Sequence, residues 1–310
     1  MAMRVAVETP APTTLLPTIV LLAITAVWGS TFFMIKGVLD TLPPLDFLGL
    51  RFALAALVVT VALRRRLVRA SRGTWARGVT LGGLYTSGQI AQTVGLEHTH
   101  ASVSGFITGT CVVLTPLLLV VLFRERLGVA VWISVAVATV GLMVLSLRGW
   151  DFGSGEALTL LGALLYALHI VTLGRWVGRD NPLTLAAVQL VAIGGFSLLG
   201  AAPGGIVVPS GWGPWLVIVY TALVAGIVAM VAQTWAQSRL PATNAALIFT
   251  LEPVFAALFA VLFGGESVTA RLLIGGTLVL AASLGVEVVP RLLRDAPVPE
   301  LGAGEGGRKR

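Results

Sequence analysis

The sequence is poor in charged residues and in cysteine. Only 11% of its 310 residues are charged, 56% are hydrophobic, and the mean hydropathy is +0.94. A soluble globular domain has about 25% charged residues, so this class is excluded. The one cysteine, Cys111, cannot form an intrachain disulfide and is interpreted as a small packing residue. The composition indicates a polytopic membrane protein.

Phosphate-binding loops and metal-ligand clusters are also missing from the sequence. No glycine-rich loop leads into lysine and serine or threonine, and no polar segment is long enough for a domain to hold one. This absence argues against an ATP-driven pump, and we expect no cofactor. His98 and His100 stand close together without a third ligand nearby, so we expect no metal site.

The apolar runs have the length of membrane-crossing helices. A hydrocarbon core of roughly 30 Å takes about 20 helical residues to cross, whereas a barrel strand needs about 10. Helices are required because lipid satisfies no backbone polar group. We predict an all-α membrane protein with ten transmembrane helices, near residues 18–36, 45–63, 79–96, 101–123, 128–147, 157–174, 183–200, 214–236, 242–263 and 270–289.

Basic residues are concentrated on one predicted side of the membrane. Lysine and arginine number 21 against 14 acidic residues, and the pI is 10.7. They lie at span ends and in short loops, so a bilayer explains them better than a nucleic-acid partner does. The positive-inside bias places both termini in the cytoplasm, and we expect no cleaved signal peptide. The arginines of the loops on that side are Arg64, Arg65, Arg66, Arg69, Arg72, Arg77, Arg124, Arg126, Arg175, Arg179 and Arg239.

A weak internal repeat divides the chain into two halves. Ala91-Gln92-Thr93 returns as Ala232-Gln233-Thr234, and the same spacing relates Glu125 to Glu266. Five crossings return the chain to the opposite side, so the second unit is predicted to be inverted, as in alternating-access transporters. We predict a cytoplasmic tail at 1–17, five-helix repeats at 18–148 and 157–290, a connecting loop at 149–156 and a disordered cytoplasmic tail at 291–310.

Polar side chains inside the third predicted span form one face. Tyr85, Gln89 and Gln92 are spaced at i, i+4 and i+7, which places a phenol and two amides on one side of a helix. Gln233 in the eighth span holds the repeat position of Gln92. These groups either line a cavity or bond neighbouring helices together, and both interpretations are open.

Glu252 is a carboxyl group near the middle of the ninth predicted span, and Pro253 follows it. Because proline removes a backbone hydrogen bond, we predict a helix kink at Pro253 and another at Pro116 in the fourth span. The carboxyl group is interpreted either as a proton-coupling or amine-binding acid, or as a protonated packing group beside the kink.

Aromatic and polar residues in the first and sixth spans form a second candidate set. Trp28 and Tyr166 align between the repeats, with Ser30 and His169 close by. The aromatic pair either stacks on a flat or apolar substrate or packs within the bundle. His169 either exchanges protons or is a hydrogen-bonded structural histidine.

Two basic residues near span ends are interpreted as membrane anchors. Lys36 is expected to pair with Asp40 or to extend to the membrane surface, and Arg51 is expected to do likewise with Asp46. Neither is expected to bind a ligand.

Several short motifs follow one another along the predicted spans. They are Trp28-Gly29-Ser30-Thr31-Phe32, Arg51-Phe52, Gly105-Phe106-Ile107-Thr108-Gly109, Thr115-Pro116, Arg124-Glu125-Arg126, Leu251-Glu252-Pro253-Val254 and Glu266. In this order they resemble the motifs of the EamA-type drug/metabolite transporters. The resemblance implies a ten-helix basket around a central cavity in the cytoplasmic membrane. It also implies export of a small metabolite, amino acid or drug by alternating access; proton coupling is an expectation that rests on Glu252 and His169.

The candidate site is expected between spans one, three, four, six, eight and nine. Since one chain holds both repeats, a monomer suffices, and a homodimer is the alternative. The expected partners are a small-molecule substrate, the lipid bilayer and, with proton coupling, protons. The candidate substrate residues are Trp28, Ser30, Tyr85, Gln89, Gln92, Thr108, Tyr166, His169, Gln233 and Asn244, with Glu252 as the coupling candidate and Pro116 and Pro253 as kinks.

Two other functions are compatible with a multi-spanning chain. An intramembrane enzyme acting on a lipid-linked substrate needs clustered His, Asp or Glu near the membrane surface, and only Glu97, His98 and His100 cluster here. A non-transporting assembly or sensor subunit requires no motif, and solute flux by the isolated protein would argue against it.

Overall fold

The computed structural model describes residues 15–99, 101–146, 153–263, 269–270 and 273–282, and every regular element in these ranges is helical. The predicted tails at 1–17 and 291–310 and the connection at 149–156 lie largely outside this part, as do His100 and Glu266. For the described residues, the prediction of an all-α protein is confirmed.

Short connections join successive helices. Two of them contain 3₁₀ turns, Val177–Arg179 and Ala202–Gly204, and a π-helical segment, Leu223–Val228, joins α9 to α10. The helices are α1 (Leu15–Leu39), α2 (Pro44–Arg69), α3 (Arg72–His98), α4 (Ala101–Gly109), α5 (Cys111–Phe123), α6 (Val129–Ser146), α7 (Ser154–Trp176), α8 (Pro182–Ala201), α9 (Trp212–Ala222), α10 (Ala229–Gln237), α11 (Ala242–Phe249) and α12 (Glu252–Phe263).

Six helical stretches are long and apolar enough to cross a membrane, judged by length and composition. α3 has 27 residues but is less apolar, because it carries the polar face predicted from Tyr85, Gln89 and Gln92. The chain is therefore a multi-spanning membrane protein. The six stretches are Leu15–Leu39, Pro44–Arg69, Ser154–Arg179, Pro182–Gly204, Trp212–Gln237 and Ala242–Phe263; shorter apolar helices cover Ile107–Phe123, Val129–Val144 and Leu273–Ala282.

Local sequence signals explain where several helices begin. Pro44 and Pro182 open α2 and α8, at positions where the missing N–H of proline is not needed for a helical bond. Asn181 caps α8 by accepting a hydrogen bond from the Thr184 N–H at 3.2 Å. Ser71 caps α3 in the same way.

Close backbone contacts fix α3 between α7 and α8. A Cβ atom on Gly95 would lie 2.7 Å from the carbonyl oxygen of Gly155 on α7. A Cβ atom on Gly78 would lie 2.4 Å from Cγ1 of Val188 on α8. Small residues provide such contacts because no hydrophobic effect drives helix association within lipid. The polar face of α3 is thereby held in one position.

At one end of the bundle, here called the Lys36 end, α1 is hydrogen-bonded to the carboxyl terminus of α3. Lys36 Nζ donates hydrogen bonds to the carbonyl oxygens of Leu96 at 2.8 Å and of Glu97 and Thr99 at 3.3 Å. Of the two alternatives predicted for Lys36, the pair with Asp40 is not formed among the described residues. The last carbonyls of α3 have no intrahelical donors and attract a cation, so they bind the ammonium group instead.

At the opposite end, here called the arginine end, ion pairs connect neighbouring segments of the bundle. Arg175 Nη1 lies 2.5 Å from Glu125 Oε1, which joins the end of α7 to the segment after α5. Arg77 Nε and Nη2 donate to the two carboxylate oxygens of Asp180 at 2.6 and 2.8 Å. Thr74 Oγ1 donates to Asp180 as well, at 2.6 Å. These bonds tie the first turns of α3 to the loop between α7 and α8.

The Asp180 contacts predict a pH-dependent contribution to stability. The hydrogen bonds from Arg77 hold the pKa of the Asp180 carboxyl below its usual range. A lowered folded-state pKa stabilises the fold above the unfolded-state pKa of about 3.9, and this stabilisation is lost as pH falls through the folded-state value. We expect Asp180→Asn to melt at a lower temperature than wild type at pH 7 in detergent. The difference should vanish in acid, and an equal difference at every pH would contradict this assignment.

Candidate substrate cavity

A cavity lies between the helices of both halves of the chain. The volume open to the centres of water molecules is about 90 Å³. One water needs roughly 10–15 Å³ by this measure, so the space takes several waters or one small solute. Its walls come from α1, α2, α3, α4, α5, α7, α10, α11 and α12. The predicted residues that line it are Trp28, Tyr85, Gln89, Gln92, Thr108, Tyr166, His169, Gln233 and Glu252.

Two interrupted helices meet at this cavity. α4 ends at Gly109 and α5 begins at Cys111, whereas α11 ends at Phe249 and α12 begins at Glu252. These four residues all line the cavity. Each interruption is a single tightened turn, because Thr110 and Thr250 keep right-handed helical backbone dihedrals. Helical hydrogen bonding resumes directly after each turn, from the Leu114 N–H to the Thr110 carbonyl and from the Phe255 N–H to the Leu251 carbonyl.

The two interruptions have the same hydrogen-bond pattern. The Thr110 N–H donates to the Ile107 carbonyl at 3.0 Å, and the Leu251 N–H donates to the Ile248 carbonyl at 3.0 Å. Thr110 and Leu251 stand at the same spacing along the chain as Ala91 and Ala232. Both turns are therefore tightened to i→i−3 bonds at matching positions of the two halves.

The two prolines predicted as kinks lie in different positions relative to these interruptions. Pro253 is the second residue of α12, where its missing N–H interrupts no helical bond. The helix is therefore divided before the proline. Pro116 lies inside α5, and the boundary between α4 and α5 is at Thr110.

A chain of hydrogen bonds joins α7, α3 and α4 along one wall of the cavity. Tyr166 Oη donates to Gln92 Oε1 at 2.8 Å, and Gln92 Nε2 donates to Thr108 Oγ1 at 2.8 Å. Gln89 Nε2 donates to Tyr85 Oη at 3.3 Å. The two interpretations of these amides are thus not exclusive, because Gln92 both lines the cavity and bonds neighbouring helices.

A second amide group lies nearer the arginine end. Gln237 Nε2 donates to the Ile170 carbonyl at 3.0 Å, and Gln233 Nε2 donates to Gln237 Oε1 at 2.9 Å. His169 Nε2 is 2.9 Å from Gln189 Oε1, so it is a hydrogen-bonded histidine that also lines the cavity. The oxygen of the Gln233 amide is buried and has no hydrogen-bond partner in the described part of the chain.

Trp28 fixes α1 against the π-helical segment. Its Nε1 donates to the Ala225 carbonyl at 2.9 Å, and its ring centroid lies 5.3 Å from that of Phe249. Tyr166 instead packs against Tyr85, with ring centroids 5.7 Å apart. The two aligned aromatics therefore lie on separate walls. Segments of π-helix are frequent at functional sites, and the sequence contains no signal that predicts this one.

Two predicted site residues are not among those that line the cavity. The Ser30 hydroxyl bonds the Val27 carbonyl at 2.6 Å and the Tyr220 hydroxyl at 2.8 Å. Asn244 lies on α11, on which Ala246 and Phe249 reach the cavity instead. Ser30 therefore joins α1 to α9 rather than facing the cavity.

Arg51 and Cys111 line the cavity, although the sequence indicated an anchor and a packing residue. Among the described residues Arg51 forms no ion pair with Asp46, and Asp46 Oδ2 accepts a hydrogen bond from the Val207 N–H at 3.1 Å. The expectation of that ion pair is wrong. Cys111 Sγ donates to the Ala163 carbonyl at 3.1 Å. The position of a residue along a helix predicts its depth in the membrane but not the side of the helix on which it lies. Neither residue could therefore be assigned to the cavity from the sequence.

Glu252 is half-buried and lines the cavity from the first turn of α12. Among the described residues, no side chain forms an ion pair or hydrogen bond with its carboxyl group. Gly29 of α1 lies against the same turn, and a Cβ there would be 2.8 Å from the Glu252 carbonyl oxygen. Glu252 is thus an acidic group open to the cavity.

Within the described ranges, no group of three or more His, Cys, Asp or Glu is placed to hold a metal ion. His98 lies 3.9 Å from Glu97, and both side chains are exposed near the end of α3. His100 lies outside the described residues, so the prediction about this pair stays a prediction.

The proteins that this chain resembles are described as transporters. The sequence profile of the EamA-like transporter family matches residues 16–147 and 153–287. An uncharacterized transporter of Archaeoglobus fulgidus is 33% identical over 267 residues, which cover 84% of this chain and 82% of that protein. The uncharacterized inner membrane transporter YedA of Escherichia coli is 26% identical over 260 residues, 80% of this chain and 83% of YedA. The threonine/homoserine exporter RhtA of Salmonella typhimurium is 30% identical over 178 residues, 54% of this chain and 58% of RhtA.

A solved crystal structure has the same fold. It superposes with a TM-score of 0.74 at 20% identity, covering 89% of this chain and 98% of the other. At this identity the likeness concerns the fold alone. The family match covers nearly all of the described residues in both halves. The chain belongs to the EamA-like transporter family.

Proposed function

We propose that this protein is a secondary transporter that moves a small solute through the cavity by alternating access. The observation that carries the proposal is the cavity between two interrupted helices, at Thr110 and Leu251, one in each half of the chain. Secondary transporters built from two repeats bind solutes between the repeats, near the membrane midplane. The family and its named relatives are transporters rather than enzymes.

The proposed architecture is ten transmembrane helices in two inverted five-helix repeats, at residues 18–148 and 157–290. The matching turns at the two interruptions and the repeat of Ala91-Gln92-Thr93 support it. The positive-inside bias supports cytoplasmic termini at residues 1–17 and 291–310, in the cytoplasmic membrane. In that orientation the arginine end is cytoplasmic.

The proposed access state follows from that orientation. The ion pairs Arg77–Asp180 and Arg175–Glu125 support a cavity closed toward the cytoplasm. The cavity residues of α3 extend to Leu96, close to the Lys36 end. Opening the arginine end then requires these ion pairs to separate, which gives each cycle a defined gate on the cytoplasmic side.

The proposed direction is export of a small metabolite, amino acid or drug. A relative named as a threonine/homoserine exporter supports export of small amino-acid-like solutes. The cavity volume supports a solute of similar size. Proton coupling is proposed through Glu252, because its carboxyl group faces the cavity without an ion-pair partner among the described residues.

Solute flux in proteoliposomes tests the proposal. Purified protein is reconstituted without ATP and supplied with labelled amino acids, purines, sugars and cationic drugs. We expect flux of one solute class above that of empty liposomes, saturating with solute concentration. Failure of every class, with protein that is folded and correctly inserted, would contradict the transporter assignment and favour a non-transporting subunit.

A further inference from the structure

We infer that Arg51 binds the carboxylate of the transported solute, so that the substrate class is small carboxylic acids such as amino acids. This inference rests on the proposed function, because it assigns one ligand group to the same cavity. The structure places Arg51 in the cavity wall, where the sequence had indicated only a membrane anchor.

Arg51 is a buried cation without an anionic partner. Its relative exposure is 3%, and its Nε atom is buried with no hydrogen-bond partner. In the part of the chain that the structure describes, no carboxylate forms an ion pair with it. A buried charge is costly unless it is paired and hydrogen-bonded. The group is therefore prepared for an anion that the protein itself does not supply.

Aromatic rings hold the guanidinium in place. Its central carbon lies 4.3 Å from the ring centroid of Phe52 and 5.5 Å from that of Phe47. Stacking on aromatic rings leaves the N–H groups of arginine at the edge of the plane free to donate. Phe52 in turn packs edge-on against Tyr85, another cavity residue, with centroids 6.2 Å apart. The fork is thus positioned before a ligand arrives.

Carboxylate fits this site better than phosphate. A planar arginine fork matches both groups in geometry. Among the described residues that line the cavity, however, Arg51 is the one lysine or arginine, and Glu252 lines the same cavity with the opposite charge. A dianionic phosphate would meet one cation and one acid, whereas a carboxylate is balanced by Arg51 alone.

Matched solute pairs test the inference on the wild-type protein. Each amino acid is compared with its carboxamide, which keeps the side chain and amino group but removes the negative charge. We expect the acid to be transported and to raise the melting temperature in detergent, with the carboxamide binding about 10- to 100-fold more weakly. Equal binding or transport of the two compounds would overturn the inference and leave the transporter assignment intact. Absence of flux for every solute would overturn both.

Variants of Arg51 separate ligand binding from a structural role. Arg51→Met should lose the carboxylate-dependent rise in melting temperature, and Arg51→Lys should retain part of it. Without solute, Arg51→Met should melt no lower than wild type, because an unpaired buried charge has been removed. Lys36→Met is the control: it removes a cation outside the cavity, so it should lower stability but keep the response to the acid. A response retained by Arg51→Met would overturn the inference.

Discussion

Glu252→Gln is expected to abolish proton-driven accumulation of solute while leaving solute exchange intact. Glutamine has nearly the same shape but cannot carry a proton. The substitution therefore removes the coupling group and keeps the shape of the cavity wall. Glu252 lines this wall from the turn of α12 that packs against Gly29 of α1. A gradient of one pH unit supplies about 1.4 kcal/mol per proton, enough for about tenfold accumulation. The variant should equilibrate solute without concentrating it.

The measurement compares gradient-driven uptake with counterflow in proteoliposomes. Glu97→Gln is the matched control, because Glu97 is an exposed acid near the end of α3 and does not line the cavity. It should accumulate solute as wild type does. Accumulation by Glu252→Gln at the wild-type level would show that another group carries protons or that transport is not coupled to protons. Loss of both uptake and counterflow would assign Glu252 to solute binding instead.

Gly29→Ala is expected to impair both stability and transport. A Cβ atom there would lie 2.6 Å from Phe255 Cβ and 2.8 Å from the Glu252 carbonyl oxygen. Overpacking of this kind typically costs about 1–3 kcal/mol, and it would displace the first turn of α12 and the carboxyl group on it. The added methyl group thus lies where α1 packs against α12, beside the cavity.

Gly37→Ala is the control on the same helix. Among the described residues, no atom outside the adjoining backbone of α1 lies within 4 Å of a Cβ built on Gly37, so alanine there should raise helix stability by up to about 1 kcal/mol. Melting temperature in detergent and initial transport rate are measured for both variants. If Gly29→Ala behaves as Gly37→Ala does, the contact between α1 and α12 does not position the site.

The sequence predicted much of the fold because membrane constraints are strong. The apolar runs, the polar face of α3 and the acid followed by proline at Glu252-Pro253 each impose a local requirement that the chain must meet. The described helices α1, α2 and α8 begin and end within a few residues of the predicted spans, apart from extensions at the arginine end of α2. There the helix continues through the arginines to Arg69, beyond the apolar run.

Details that depend on packing could not be predicted. The interruption at Thr110 carries no proline, whereas Pro116 lies within a helix. Phe52, on whose ring Arg51 stacks, is the next residue in the sequence. Only the packing of α2 against α3 shows that Arg51 lies beside the cavity. The π-helical segment that accepts the hydrogen bond from Trp28 depends on the contact between α1 and residues 223–228. These features are determined by neighbours that are distant in the sequence.

We propose that solute moves through this cavity by alternating access from its two ends. Cys111 is the one cysteine, so Cys111→Ala gives a chain to which single cysteines can be added at two positions that line the cavity, Ile35 near the Lys36 end and Gln233 toward the arginine end. Labelling rates with a thiol reagent are measured with and without transported solute. We expect solute to change the two labelling rates in opposite directions. Rates that change together, or not at all while flux continues, would contradict it.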